Sequence, residues 1–321
     1  ESKYVLRKII LDFFCLFIVG FPILLFYLFG QPYERGFYCD DESLMHPFKE
    51  STVSSFVLYL IGMAFPILSM LMIEWVHFRR TNNHVIRTLF GRNIHPWIWN
   101  CYKMIGVFGF GMACSQLTTD IAKYTVGRLR PHFFSVCNPD VNCTLLENQH
   151  KYIEVFKCRS ADKHRLKDMR LSFPSGHSSF SAYTMIYLVM YLQARFTWEG
   201  SKLLRHFLQY LCFMMAMGTA LSRISDYKHH WSDVLAGSLQ GALVSVLVAV
   251  YISDLFSPQR PGLVVPETGE DPPSHSGNSE GSNNNHRGLS PVNVVNGKVL
   301  PTPCDATDLL QGVSSLRVHL L

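Results

Sequence analysis

Long apolar runs alternate with short polar segments along the first 252 residues of the chain. Each run is near or above the length at which a helix can cross a bilayer, roughly 20 residues. Polar ends extend the two shortest runs, the third and the fifth. The runs lie at residues 9–29, 53–73, 104–119, 177–194, 207–221 and 234–252. They predict an all-α, polytopic membrane protein with six transmembrane helices, because so many long runs exceed the needs of a soluble core.

The composition supports a membrane protein. Only 17% of the 321 residues are charged and 48% are hydrophobic, whereas soluble domains average about 25% charged residues. We expect Asp12, which lies in the first run, to sit at the membrane interface. Because the chain begins with Glu1 and not with Met, we expect it to start inside a longer protein. We expect the protein to associate with the lipid bilayer and to bind no nucleic acid.

The distribution of charge predicts the orientation in the membrane. Lys and Arg are enriched in short cytoplasmic loops, and they dominate the N-terminus and the second and fourth connections. The first connection is acidic instead. Both termini are therefore predicted to be cytoplasmic, with connections one, three and five on the outer side. The third connection, residues 120–172, is basic, but long loops obey the charge rule poorly.

The third connection also carries signals of an oxidising, extracellular or lumenal compartment. Asn142 begins an Asn-Cys-Thr sequence, which is an N-glycosylation acceptor. Four cysteines fall in the outer connections, where disulfides persist, and four cysteines allow three pairings. We favour Cys143–Cys158, because this bond closes a local loop, and Cys39–Cys137 then follows. The cysteines in or beside the apolar runs are expected to be apolar fillers, namely Cys15, Cys101, Cys114 and Cys212.

The character of the chain changes after Ser253. Residues 257–301 are rich in Pro, Gly, Ser and Asn, and such a segment buries too little apolar surface to order itself. We therefore predict a membrane domain at residues 1–256 and a largely disordered cytoplasmic tail at residues 257–321.

Three polar motifs lie at the ends of apolar runs: KYTVGRLRP at residues 123–131, PSGH at 174–177 and SRISDYKHHWSD at 222–233. An even number of predicted crossings separates them, so all three are expected at the outer edge of the membrane. Together they supply histidines, a carboxylate and fixed cations. These are the groups that hydrolysis of a phosphate ester requires.

The histidines are the candidate catalytic groups. His229 and Asp233 are four residues apart and would share a helical face, so the carboxylate could fix the imidazole as a nucleophile toward phosphorus. His230 is a competing candidate, one residue off that face. His177 could protonate the leaving alkoxide and then activate water. The alternatives are a surface His–Asp pair and an ordinary helix cap.

The remaining motif residues are candidates for binding phosphate. The amides at the helix start that contains Ser175 and Gly176 would form an anion site, and Lys123, Arg130 and Arg223 would supply positive charge. Each cation could instead anchor its helix at the interface, which is the role we assign to Arg128 and Lys228. We expect no metal and no cofactor, because no acidic cluster is in place to hold Mg²⁺.

The motifs identify the chain as similar to the lipid phosphate phosphatases (phospholipid phosphatases) of the type 2 phosphatidic acid phosphatase superfamily. The family pattern is K-x6-RP, then PSGH, then SR-x5-H-x3-D, and residues 5–256 match it at every defined position. The resemblance implies Mg²⁺-independent hydrolysis of phosphatidate, lysophosphatidate, sphingosine 1-phosphate and ceramide 1-phosphate, attenuating lipid phosphate signalling. It implies for each motif residue the catalytic or phosphate-binding role described above. It also implies that the protein forms homo-oligomers. The active site would be extracellular in the plasma membrane, or lumenal in internal membranes.

Three alternatives remain open at this point. A related enzyme could act on a sugar phosphate or a diphosphate, since the pocket decides specificity. A non-catalytic scaffold could bind lipid phosphates without turnover. A transporter would carry its charges in mid-span, whereas these cluster at one edge.

Overall fold

The protein is mostly helical. The computed structural model describes residues 2–81, 86–196, 200–256, 294–295 and 298–299. Six helices are long: α1 (Ser2–Phe29), α2 (Ser55–Arg80), α3 (Pro96–Val126), α6 (Gly176–Arg195), α7 (Lys202–Ser225) and α8 (Trp231–Leu247), the last continued by a π-helical turn at Val248–Ile252. Two short helices, α4 (Phe133–Cys137) and α5 (Lys163–Asp168), lie between α3 and α6. Short strands form three antiparallel pairs: β1 (Phe37–Tyr38) with β4 (Tyr152–Ile153), β2 (Arg87–Leu89) with β3 (Arg92–Ile94), and β5 (Val294–Val295) with β6 (Lys298–Val299).

The six long helices coincide with the six apolar runs. Four segments are long and apolar enough to cross a membrane: Ser2–Phe29, Ser55–Arg80, Leu203–Ser225 and Trp231–Ile252. Helix α6 is more polar because it faces protein on several sides. The first half of α6 buries four serine and threonine side chains, those of Ser178, Ser179, Ser181 and Thr184.

Helix α6 is the central element of the membrane domain. It packs against α2, α3, α7 and α8. Helix α8 comes very close to it, because Gly237 and Gly241 face its backbone; a Cβ atom on Gly237 would lie 2.5 Å from the Ser175 carbonyl oxygen. This close approach holds the start of α8 beside the start of α6. Helix α1 lies outside this core, against α3 and β2.

The connections at one end of the bundle form a compact layer. Phe37 in β1 pairs with Ile153 in β4, and it is buried among the rings of Phe133, Phe134 and Phe156. The first connection is thus joined to the third. The hairpin β2–β3 belongs to the second connection, between α2 and α3.

The predicted disulfide between Cys143 and Cys158 is wrong. Cys39 pairs with Cys143 and Cys137 pairs with Cys158, with Cα–Cα distances of 5.3 and 4.7 Å. The β1–β4 pairing brings the first connection onto the third. A bridge between Pro139 and Cys158 places the end of α4 beside Cys158. Strand pairing between the first and third connections, rather than closeness in sequence, therefore decides the partner of Cys143. The four cysteines predicted as fillers are free.

The chain divides into two units, Glu1–Arg260 and Pro261–Leu321. In the second unit the described residues are those of β5 and β6. The rest of the segment predicted to be a disordered tail, residues 257–321, lies outside the described residues.

Candidate active site

The three motifs meet at the end of the bundle that carries the disulfides. The first motif leaves α3, the second begins α6, and the third connects α7 to α8. Gly127 ends α3 in the left-handed conformation, with φ of 57°, and its amide donates to the Lys123 carbonyl. After this turn the chain reaches the end of α5, where the Arg130 amide donates to the Met169 carbonyl at 2.8 Å.

His229 lies buried between α7 and α8, with 4% of its surface exposed. Its Nδ1 lies 2.7 Å from the carbonyl oxygen of Ser172. Because a carbonyl only accepts, Nδ1 carries the proton and the Nε2 lone pair is left free. Burial, followed by the charges of Arg130 and Lys123, holds the pKa of His229 well below its usual value. The imidazole is therefore neutral at physiological pH, as a nucleophile must be.

Asp233 does not hold His229 directly, contrary to the prediction from their spacing. Its fully buried carboxylate accepts from Arg128 Nη1 at 2.5 Å and from the Ser172 hydroxyl at 2.6 Å. It also contacts the amide and Nδ1 of His230, both at 3.2 Å. The reason is that α8 begins at Trp231, with His230 as its N-cap, so Asp233 reaches back to the cap and His229 lies outside the helix.

Ser172 joins Asp233 to His229. Its carbonyl accepts from the imidazole and its hydroxyl donates to the carboxylate. The carboxylate thus orients His229 through one intervening residue.

His177 lies in the first turn of α6. Its Nε2 is buried and has no hydrogen-bond partner among the described residues, and the ring bonds to the backbone of Val53. The positive charges of Arg223, Lys123 and Arg130 act on His177. An unpartnered ring nitrogen among cations is suited to meet an anionic ligand.

The three predicted phosphate-binding cations converge on these histidines. The Lys123 ammonium lies against Gly176, 2.9 Å from the point that a Cβ there would occupy, so the absent side chain makes room for it. Arg130 donates from Nη2 to Asp168 at 2.6 Å, while its Nε is buried without a partner in the described part of the chain. Arg223 is 1% exposed.

Carboxylates hold two of these guanidinium groups in place. Arg223 Nη2 donates to Asp226 at 3.0 Å, and Asp226 accepts from the amide and hydroxyl of Thr52. Burial would raise the pKa of Asp168, but the charges of Arg130 and Lys123 outweigh it and hold that pKa below the usual value. Asp168 therefore stays ionised beside Arg130.

Ser175 is fully buried and caps α6. Its hydroxyl oxygen accepts from the Ser178 amide at 3.4 Å and from the Ser178 hydroxyl at 3.0 Å. Its own amide donates to the Asp233 carbonyl at 3.0 Å. Ser175 therefore acts as a helix cap, which was the alternative to a catalytic or binding role for this motif. It ties the start of α6 to the start of α8.

Sequence reasoning missed four residues around the site: Arg128, Asp168, Ser172 and Lys228. Arg128 was assigned to interface anchoring but pairs with the buried Asp233. Lys228, given the same role, is 7% exposed and lies 3.8 Å from the centre of the Phe48 ring. The available signal for Arg128 and Lys228 was their position inside the motifs, in the variable places of the pattern, whereas Asp168 and Ser172 lie outside the motifs.

No group of three or more His, Cys, Asp or Glu side chains that could hold a metal ion occurs among the described residues. The charge at this site comes from Lys and Arg side chains instead. The site thus combines cations with the buried, neutral imidazole of His229 and with His177, whose Nε2 has no partner among the described residues. This arrangement is suited to phosphoryl transfer.

Comparison with known proteins agrees with this chemistry. Residues 105–277, which contain all three motifs, match the model of the PAP2 superfamily. The chain is also 41% identical over 262 residues to "Phospholipid phosphatase 1" of Rattus norvegicus, covering 78% of this chain and 86% of the relative. The chain belongs to the lipid phosphate phosphatase family of this superfamily.

Two further relatives agree with the assignment. "Putative phosphatidate phosphatase" of Drosophila melanogaster is 52% identical over 273 residues, covering 81% of this chain and 72% of that protein. "Phospholipid phosphatase 2" of Homo sapiens is 39% identical over 256 residues, 79% of this chain and 85% of its own length. No solved structure matches the chain. This lipid phosphate phosphatase is therefore an enzyme of lipid metabolism, and its apolar helices associate it with a membrane.

Proposed function

We propose that this phosphatase hydrolyses phosphatidate, lysophosphatidate, sphingosine 1-phosphate and ceramide 1-phosphate without Mg²⁺, and thereby attenuates lipid phosphate signalling. The observation that carries the proposal is a neutral, buried His229 together with His177, whose Nε2 has no partner among the described residues, amid three cations. Lys and Arg then stabilise the charge that Mg²⁺ stabilises in many other phosphoryl-transfer enzymes.

The first step forms a phosphohistidine. Lys123, Arg130, Arg223 and the amides at the start of α6 bind the phosphoryl oxygens, and His229 Nε2 attacks phosphorus. A P–N bond forms while the bond from phosphorus to the lipid oxygen breaks. His177, protonated in the complex with the anionic substrate, gives its proton to that oxygen, and the lipid alcohol leaves.

The second step regenerates the enzyme. His177, now neutral, accepts a proton from a water molecule whose oxygen attacks phosphorus. The P–N bond breaks, its electrons return to His229, and inorganic phosphate leaves. Asp233 assists both steps by holding Ser172, and through it the tautomer of His229.

We further propose six membrane crossings, cytoplasmic termini and an active site on the extracellular or lumenal side, in the plasma membrane or an internal one, with homo-oligomers as the assembly. Two disulfides at the same end of the bundle as the site support the outer placement, because such bonds persist in oxidising compartments. Asn142 is exposed there and is a candidate for glycosylation. A glycosidase-sensitive shift in gel mobility that Asn142→Gln abolishes would support this side, and its absence would count against it.

The test of the mechanism is release of inorganic phosphate from lysophosphatidate by purified protein in detergent with EDTA. Wild-type protein should turn over, and His229→Ala should be inactive because it cannot form the covalent intermediate. His230→Ala is the matched control and should retain most activity, since its neighbour supplies the nucleophile. Full activity in His229→Ala would refute the mechanism. A folded wild-type protein inactive on a panel of phosphate esters would favour the scaffold alternative.

A further inference from the structure

A groove runs along the lipid-facing side of the bundle between α1, α2 and α3. Its volume is about 550 Å³. Most of its wall is apolar, with Leu24 from α1, Met63 from α2 and Ala113 from α3. Gly20 of α1 also lines it and leaves open space, because no atom lies within 4 Å of the point that a Cβ there would occupy.

One end of this groove reaches the active site. Asp120 lines it one helical turn from Lys123, and the two charges interact. Phe180 lines it one turn from His177, and its ring lies 4.9 Å from that of Tyr59. One end of the groove therefore lies beside the residues that would hold the phosphate.

The polar groups of the groove lie along α3, where Gln116, Asp120 and Tyr124 follow one another at intervals of four residues. Gln116 donates to both carboxylate oxygens of Asp120, at 2.9 and 3.1 Å. From Met112 to Tyr124 the lining follows α3 for 12 residues, which is roughly 18 Å at 1.5 Å per residue. A largely apolar wall from α1 and α2, in a groove that starts beside the cations, suits a molecule with one charged end and one hydrocarbon chain.

We infer that this groove holds the hydrocarbon chain of the lipid phosphate during turnover, an inference that rests on the proposed function. The cations fix the phosphate at the outer edge of the bundle, so the chain must leave the site along a surface continuous with it. A second depression on α2, of about 480 Å³, shares Tyr59 and Met63 with this groove and is otherwise lined by apolar residues such as Phe56, Leu60 and Leu68. It contains no carboxylate or amide side chain to meet the polar part of a lipid.

The inference is tested by filling the groove without touching the catalytic groups. Gly20→Leu places a side chain in open space inside the groove. Ala113→Leu does the same from α3. Gly218→Leu is the matched control, because Gly218 lies exposed on α7 and also has no atom within 4 Å of its Cβ position. Phosphate release is measured for lysophosphatidates with 18-carbon and 6-carbon chains in detergent micelles with EDTA.

We expect both groove variants to lower kcat/KM for the 18-carbon substrate about tenfold, the effect of displacing roughly two methylene groups. Their kcat/KM for the 6-carbon substrate should stay within about twofold of wild type, and Gly218→Leu should match wild type on both. Equal effects on the two chain lengths, or no effect on either, would overturn the groove assignment while leaving the phosphatase function standing. Failure of wild-type protein to hydrolyse both lipids would overturn the proposed function and this inference with it.

Discussion

The link from Asp233 through Ser172 to His229 predicts that two substitutions will not act independently. Ser172→Ala removes the hydroxyl that donates to the carboxylate at 2.6 Å but keeps the carbonyl that accepts from His229. Asp233→Asn removes the charge at the other end of the same bond. Each variant should lower kcat, because each loosens the orientation of the nucleophile.

The size of the expected loss in kcat follows from the environment of the hydrogen bond between Ser172 and Asp233. Ser172 and Asp233 are both fully buried, and a hydrogen bond to a charged group contributes roughly 1.5–3 kcal/mol. If this free energy is lost in the transition state, Ser172→Ala lowers kcat by about 10- to 150-fold. The double variant should be only slightly worse than Asp233→Asn, with a coupling free energy of about 1.5 kcal/mol or more.

The assay is phosphate release by wild type, both single variants and the double variant, alongside thermal unfolding in detergent to confirm that each is folded. Ser232→Ala is the matched control. Its hydroxyl accepts from Arg128 at 2.9 Å and lies beside Asp233 in sequence, so kcat should change by less than about threefold. Additive effects of Ser172→Ala and Asp233→Asn would refute the indirect link.

Three further predictions concern the surroundings of the site. Arg130→Gln should shift the acidic limb of the kcat/KM–pH profile to higher pH, because the Arg130 charge lowers the pKa of His229. The limb reports this pKa, since a protonated imidazole has no free lone pair with which to attack. Gly237→Ala should lower the free energy of unfolding by about 1–3 kcal/mol and reduce kcat, because its Cβ would lie 2.5 Å from a backbone oxygen of α6. Mass spectrometry of a non-reduced digest should find Cys39 joined to Cys143.

Each of these predictions has its own control. The substrate ionises in the same way in assays of wild type and of Arg130→Gln. An acidic limb at the same pH in both would therefore mean that Arg130 does not lower the pKa of His229. Gly218→Ala, in open space on α7, should leave stability within about 0.5 kcal/mol. Equal losses at the two glycines would argue against close packing of α8 on α6. A peptide joining Cys143 to Cys158 would contradict the pairing described here.

The helices were largely predictable because their signal is local. Lipid-facing segments must be apolar along their length, so the runs that become α1, α2, α7 and α8 stand out in the sequence. Helix α6 was found from the same pattern, although it is surrounded by other helices. The tertiary structure explains its polarity, since the hydroxyl groups along its first half are buried in protein.

The identity of the motif residues was likewise a property of the sequence. Lys123, His177, Arg223 and His229 could be selected because phosphoryl transfer requires cations and imidazoles and because the motifs share one predicted membrane edge. No folding information was needed to choose them.

Their partners depended on the tertiary structure. The spacing of His229 and Asp233 suggested a direct bond, but helix α8 begins after His229, and the carboxylate turns to Arg128 and Ser172 instead. The Cys39–Cys143 disulfide follows the same rule, because the β1–β4 pairing joins segments more than 100 residues apart. Residue types and apolar periodicity are written in the sequence itself, whereas hydrogen bonds between distant segments exist only once packing has brought those segments together.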